Sequence, residues 1–418
     1  MRVLWFTNTP SLAAEILNEK GNIGGWIAAL ETEVSKVDEI ELGVAFHHGL
    51  SEKKQFIIGK TKYFSFPYPI LSKGHKSGIV SRWKHNIEPL NIVKKYLEVV
   101  DLFKPDIIHI FGTEHAYGLI IDKVEVPVLI QIQGNLSVYE KKWFSGLSNC
   151  NILRHSNIKN LILGYGIWHQ YFSFKKRALR ERGMMKNCKF IIGRTDWDRR
   201  VTRILSPNSK YFHCDELLRR EFYNYNYAIP VDKSKAILIS TLSATNYKGL
   251  ETILEAADHL KKDKLLDFEW QIIGIKGTDE LIQIIEQTYN QKFADNGIKF
   301  LGSLNPTTMI NFLLKADCYV HPSHIENSPN SVCEAMLLGV PVIATYAGGT
   351  SSLINNGVDG ILIQDGDPYS MAGAILELEK DNYLKAKISE NGAHRARKRH
   401  NQDQVLSDLL EIYKQFKS

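Results

Sequence analysis

The feature that most restricts the fold of this chain is a repeated alternation. Short β-branched and aromatic runs, apolar at consecutive positions, are separated by longer stretches with helical spacing. Asp106-Ile-Ile-His-Ile-Phe111 and Pro341-Val-Ile-Ala-Thr345 are apolar on neighbouring positions, which suits strands covered on both faces, as in a parallel sheet between helix layers. The pattern predicts strands at Arg2–Asn8, Ile40–Phe46, Lys62–Phe66, Asp106–Phe111, Val126–Gln133 and Lys189–Arg194. A second set is predicted at Ala236–Thr241, Phe268–Ile273, Lys299–Leu301, Cys318–Pro322, Pro341–Thr345 and Gly360–Ile363. Two successive sets predict an α/β fold of two Rossmann-like, doubly wound domains. The join is expected near Tyr223–Lys235, a polar and aromatic stretch with Pro230. The expected division is a first domain over 1–225, a second over 226–400, and a terminal helix over 401–418.

Composition excludes several alternatives. With 418 residues, 44% apolar and 23% charged, the chain is neither disordered nor a coiled coil. Five widely spaced cysteines with no Cys-x-x-Cys argue against a disulfide framework and fit a reducing, cytoplasmic location. The N-terminus enters an apolar run without a charged leader, so secretion is not expected. The longest uncharged stretch, Ala335 to Val358, contains Pro341, Gly348-Gly349 and Asn355-Asn356, which mark turns rather than a membrane span. The net charge of +6 is uneven: residues 141–220 carry 18 Lys+Arg against 5 Asp+Glu. That balance suggests a cationic face for phosphate groups or an acidic membrane, or a solvated helix surface. No nucleic-acid-binding signature accompanies it, so no nucleic acid partner is expected.

The most informative segment runs from His321 to Thr345. A strand ends near Pro322 and a loop carries Glu326. Ser328 reads as an N-cap with Pro329 at the first helical position, and Gly339 ends the helix after Leu338. The amides of Asn330 and Ser331 would then point out of the helix start, as an anion site requires. Glu334 stands more than one turn into the helix and Glu326 just outside it, so one carboxylate can take a diol while the other faces what lies beyond a phosphate.

The spacing of Glu326 and Glu334, the Pro322-Ser323 before them and the Glu-Ala-Met-x-x-Gly-x-Pro-Val-Ile-Ala-Thr-x-x-Gly-Gly run that starts at Glu334 resemble the retaining glycosyltransferases of family 4 (group 1), which have the GT-B fold. The resemblance implies two domains facing across a cleft, a terminal helix that crosses back to the first domain, and a nucleotide-sugar donor bound mainly by the C-terminal domain. Glu334 would take the ribose hydroxyls and Glu326 the donor sugar. Lys248, in the loop Ser243–Gly249, matches the family's phosphate-binding lysine, but Thr241, Leu242 and Ser243 stand where an arginine is usual. Gly24-Gly25, after the first strand, matches the family's double glycine near the diphosphate. Gln133 stands where the family has a histidine beside the transferred sugar, and glutamine hydrogen-bonds but does not titrate.

His109, mid-strand, reads as a buried structural histidine, whereas His115 in the following loop could reach the cleft. Asp196-Trp-Asp198 reads as a helix start and Asp365-Gly-Asp367 as a turn, so no catalytic metal and no cofactor are expected. The segment His213 to Phe222 resembles a domain-junction stretch of some bacterial members. The function implied is transfer of a hexosyl-type sugar, with retention, from a nucleoside diphosphate sugar to an acceptor hydroxyl in surface polysaccharide or glycoconjugate synthesis. A UDP-sugar is the favoured donor, and the acceptor is a glycan or lipid-linked glycan. A same-fold epimerase or hydrolase and a non-catalytic sugar-nucleotide-binding subunit are the alternatives. The aromatic run after Lys159 and the basic cluster Lys175, Lys176, Arg177 and Arg180 predict a face for the acceptor and an anionic membrane surface.

Overall fold

The computed structural model describes residues 1–14, 16, 17, 25–49, 53–68, 75–230, 235–262 and 264–416. They form two units: Met1–Glu140 with His169–Arg219 and His400–Ser418, and Lys141–Trp168 with Arg220–Arg399.

The first unit is built on β1 (Arg2–Thr7), β2 (Glu41–His48), β3 (Lys54–Ile58), β4 (Thr61–Pro67), β5 (Ile107–Phe111), β6 (Val128–Gln131), β7 (Phe190–Gly193) and β8 (Lys210–His213). Their order is β3-β4-β2-β1-β5-β6-β7-β8. All neighbours are parallel except the β3–β4 hairpin. The central strands are buried apart from Arg2 at the start of β1, so side chains from their two faces enter separate apolar clusters, with Val3 and Trp5 on one side and Leu4 and Phe6 on the other. The helix Gln402–Lys414 packs into the first of these clusters through Val405, Leu409, Ile412 and Tyr413. The Tyr413 hydroxyl accepts from Trp5 Nε1 at 2.9 Å and lies 2.6 Å from His109 Nδ1. His109 is thus a buried structural residue, and burial holds its pKa near 3.

The second unit is built on β9 (Ala236–Thr241), β10 (Phe268–Ile273), β11 (Ile298–Gly302), β12 (Cys318–His321), β13 (Val342–Thr345) and β14 (Ile361–Ile363), in the order β11-β10-β9-β12-β13-β14 and parallel throughout. Its core joins Leu238, Trp270 and Val320 to the helices Leu250–Lys262, Glu280–Tyr289 and Pro368–Lys380.

Three expectations are corrected. Residues 141–168 group with the second unit rather than the first: Leu147, Ile152 and Ile167 enter its core, and Tyr289 donates to Gly146 O at 3.0 Å. The basic stretch His394–His400, turn-like in sequence ahead of the last helix, is not a turn, because its first six residues are the end of the helix Asn382–Arg399, where cations favour the negative dipole end. Strands β3 and β8 were not anticipated from the sequence. Both lie at sheet edges, and their exposed residues hide the apolar run that marks a buried strand. Among the described residues no helix is long and apolar enough to cross a membrane.

Candidate functional site

In the second unit the chain leaves β9 to build β10 and β11 on one side, then returns to build β12 on the other. The direction reverses between β9 and β12, and such a switch point opens a crevice at the carboxyl ends of the strands. Lys248 follows β9 and Glu326 follows β12, so topology alone brings them together. Lys248 ends a short 3-10 turn over Asn246–Lys248, and Gly249 then takes a left-handed φ of 73° to enter the helix Leu250–Lys262. A Cβ on Gly249 would stand 2.1 Å from the Pro322 carbonyl oxygen, so glycine is what allows the two loops to touch.

The Lys248 ammonium donates to Glu326 Oε1 in an ion pair. Ser323 Oγ donates to the same oxygen at 3.2 Å. Burial opposes ionisation of Glu326, but the charge and hydrogen bond of Lys248 outweigh it and hold the carboxyl below its usual range. His321 lies 3.6 Å from Glu326, and burial holds its pKa near 4, so it is neutral at pH 7. Gly348 presses on the loop from β13: its Cβ would meet Glu326 O at 1.9 Å, and Gly349 N donates to that carbonyl at 2.9 Å.

The helix after this loop covers Asn330–Leu338 and starts one residue later than expected. Pro329, not Ser328, is the N-cap, and its ring offers no capping oxygen. Asn330 and Ser331 are half-buried at that start, while Glu334 is buried in the second turn. The helix closes on Gly339 with a φ of 97°, a Cβ-free turn of the kind a left-handed C-terminus selects. Beneath the pair, His324 places Nε2 2.6 Å from Glu251 Oε1 and Nδ1 3.5 Å from Asp365 Oδ2, and Lys142 pairs with Asp365 at 3.1 Å. Asp365 is therefore more than a turn residue. Asp367 caps the helix Pro368–Lys380 by accepting from Ser370 N at 2.9 Å.

In the first unit the reversal lies between β1 and β5. Asn8 follows one strand and Glu114 the other, and Asn8 Nδ2 donates to Glu114 Oε2 at 2.9 Å. Burial raises the Glu114 pKa despite this bond. Sequence reasoning missed Glu114, whose only signal was its place in the loop after the Ile-Ile-His-Ile-Phe strand. His115, in the same loop, packs beside His47 and Tyr117 with ring centroids 5.4 and 5.3 Å away, and burial holds its pKa near 3. Gln133 lies two residues beyond β6, and its carbonyl accepts from Arg194 at 3.5 Å. Arg194, also unanticipated, lies over the Trp26 ring and pairs with Glu216. Gly25 opens the helix Gly25–Val34 with a φ of 51°; Gly24 lies outside the described residues. Asp198 closes a capping box with Thr195 and accepts from Tyr211 at 2.6 Å, while Asp196 pairs with Arg199.

The predicted basic face is only partly a face. Lys175, Lys176 and Arg177 are exposed, and Lys176 donates to Lys84 O. Arg180 is not available: its side chain is 8% exposed, pairs with Glu88 at 2.6 Å and donates to the carbonyls of Thr113 and Glu114. The helix Ile167–Asn187 turns Arg180 inward on the face that carries buried Met184, because residues four apart share one face.

Comparison with known proteins agrees with this layout. Residues 225–395 match the family described as glycosyl transferases group 1. A capsular polysaccharide biosynthesis glycosyltransferase of Staphylococcus aureus, CapM, is 28% identical over 180 residues, which are 38% of this chain and 47% of that protein. The chain spans less than half the length of the first curated relatives it matches. Among solved structures, sucrose-phosphate synthase from Thermosynechococcus elongatus superposes with a TM-score of 0.73 at 13% identity, covering 99% of this chain and 98% of that one. Anabaena HepE, in complex with UDP and glucose, superposes with a TM-score of 0.65 at 15% identity and covers 99% of both chains. The fold is GT-B, with two parallel-sheet α/β domains.

Proposed function

We propose that this chain is a group 1 glycosyltransferase of the retaining, family 4 type, moving a sugar from a nucleoside diphosphate sugar to an acceptor hydroxyl. The observation that carries the reading is the Lys248–Glu326 pair at the β9/β12 switch point, in the loops that lead to the helix starting at Asn330. In this reading Lys248, with the helix amides at Asn330 and Ser331, stabilises charge that develops on the leaving diphosphate. Glu326 faces the donor sugar and Glu334 takes the ribose hydroxyls. The match to CapM supports a role in surface polysaccharide synthesis, and the complex of HepE with UDP and glucose supports a UDP-sugar donor. The Asp-x-Asp residues are engaged with helix caps and cations, so the reading gives the reaction no metal and no cofactor, and activity should survive EDTA.

Incubation with UDP-, GDP- and ADP-sugars tests this. One nucleotide at about 100 times its Kd should stabilise the protein by about 2.7 kcal/mol, and the matching donor should yield an α- or β-linked product of unchanged anomeric configuration. Free nucleotide released at equal rates with and without a glycan or lipid-linked acceptor would replace the transferase reading with a hydrolase one.

The proposal extends to location: a cytoplasmic enzyme held on the inner membrane face by Lys175, Lys176 and Arg177 with exposed Leu179. Each basic residue near an anionic leaflet contributes about 1 kcal/mol. Liposome sedimentation should rise with anionic lipid and fall toward 0.5 M salt. Indifference to lipid charge would leave a freely soluble enzyme.

A further inference from the structure

His324 belongs to no role assigned above, yet it touches three parts of the second unit at once. Its backbone N–H donates to Tyr247 O at 2.9 Å, next to Lys248. Its Nε2 meets Glu251 Oε1 at 2.6 Å in the first turn of the helix that follows Gly249. Its Nδ1 meets Asp365 Oδ2 at 3.5 Å in the loop after β14. Two residues further along its own loop stands Glu326.

The ring is buried, and each of its nitrogens faces a carboxylate oxygen. A neutral imidazole has one N–H donor and one lone pair, and a lone pair set against a carboxylate is repelled. Only the imidazolium donates on both sides. The charged groups around it are Glu251 from the helix, Asp365 from the β14 loop with Lys142 pairing it from outside, and the Lys248–Glu326 pair from the adjoining loops. Glu251 is fixed in turn: Thr252 Oγ1 donates to it at 3.0 Å, and a Cβ on Gly146 would meet it at 2.2 Å. Burial pushes the His324 pKa down, but the hydrogen bond and charge of Glu251 and the charge of Asp365 more than offset it, and the net direction is upward.

We infer that His324 is a positioning residue: as an imidazolium clamped between Glu251 and Asp365, it holds the Lys248 loop against the Glu326 loop. The consequence for nucleotide affinity rests on the donor-site reading given above. With the folded pKa above the ordinary 6.5, the clamp is complete below 6.5 and is lost as pH rises through the folded value.

The test uses the full chain. Histidine-selective NMR reads the ring titration, amide exchange reads residue 324, and calorimetry reads UDP affinity from pH 6 to 9.5. The ring should titrate above 6.5, and amide exchange at residue 324, corrected for the intrinsic pH dependence, should quicken above that inflection. UDP affinity should fall by about tenfold across it, the scale of one charge-assisted hydrogen bond. In Glu251→Gln, which keeps the shape and removes the charge, the ring inflection should move down and the step in UDP affinity should move with it; a histidine that only supports the fold would leave affinity flat across its titration. His324→Gln should behave at pH 6 as the wild type does at high pH. A ring that titrates at or below 6.5, or exchange and affinity that ignore the titration, overturns the proposal. If UDP, GDP and ADP all fail to bind, the donor reading falls, and the NMR and exchange arms still decide whether the clamp exists.

Discussion

Replacing Lys248 with Met should reveal how far Glu326 depends on it. The Lys248 side chain is 21% exposed and that of Glu326 10%, so the pair lies between the surface and buried extremes. Two unit charges about 4 Å apart at an effective dielectric of about 20 attract by about 4 kcal/mol. Desolvation and the partial exposure of the lysine reduce that, leaving an expected coupling of about 1.5–3 kcal/mol. The variant keeps a buried carboxyl without its cation, which is the costly half of the change, although the carboxyl can escape by taking up a proton. The sign with pH follows from the depressed pKa of Glu326. Its stabilisation is present above the usual 4.5 and is lost as pH falls through the folded value. The stability gap between wild type and Lys248→Met should therefore be largest near neutrality and narrow below 4.5. Native-state amide exchange of β9 and β12 reports the opening free energy of this unit without assuming that both units unfold together. A cycle with Glu326→Gln and the double variant isolates the coupling. Additive single effects, with a gap flat across pH, would refute the view that these two side chains act as a pair.

Other outcomes follow from the same geometry. Gly249→Ala forces a left-handed φ and a clash with Pro322 O, and should cost about 1–3 kcal/mol in thermal unfolding. Tyr413→Phe removes the partner of Trp5 and His109 and should destabilise the first unit by about 1–3 kcal/mol, read from amide exchange of β1 and β5. Glu334→Gln should weaken nucleotide binding while Glu326→Gln mainly lowers kcat, read by calorimetry and steady-state kinetics. Equal, near-wild-type behaviour of both would end that assignment.

The buried strands were legible because burial on both faces leaves consecutive apolar residues, as in Ile107–Phe111 and Val342–Thr345. The placing of Lys248 and Glu326 in loops and of Glu334 in a helix was legible because glycines and prolines mark the turns around them. What stayed hidden depends on contacts between distant residues. His324 meets Glu251 across 73 positions and Arg180 meets Glu88 across 92, and no local pattern reports either. Arg180 was misplaced because four cations in six residues look like one surface, while helical geometry sends one of them inward. The 141–168 excursion was missed because its short helices have an ordinary polar surface and only a few core anchors, Leu147, Ile152 and Ile167.

The division of the chain also bears on how the molecule comes into being on a ribosome. Neither unit is one continuous stretch, since the polypeptide passes from one to the other after Glu140, Trp168, Arg219 and Arg399. The Trp5–Tyr413 bond joins positions 408 residues apart, so the earliest strand waits for the latest helix. During synthesis the first sheet must persist with one apolar flank uncovered while the whole second unit emerges. That unit can close its own core once residue 399 is free, so it should mature before the one that began first. Such an order exposes sticky surface for many seconds at cellular elongation rates of about 5–20 residues per second, and a nascent chain of this kind is a natural client for ribosome-bound chaperones.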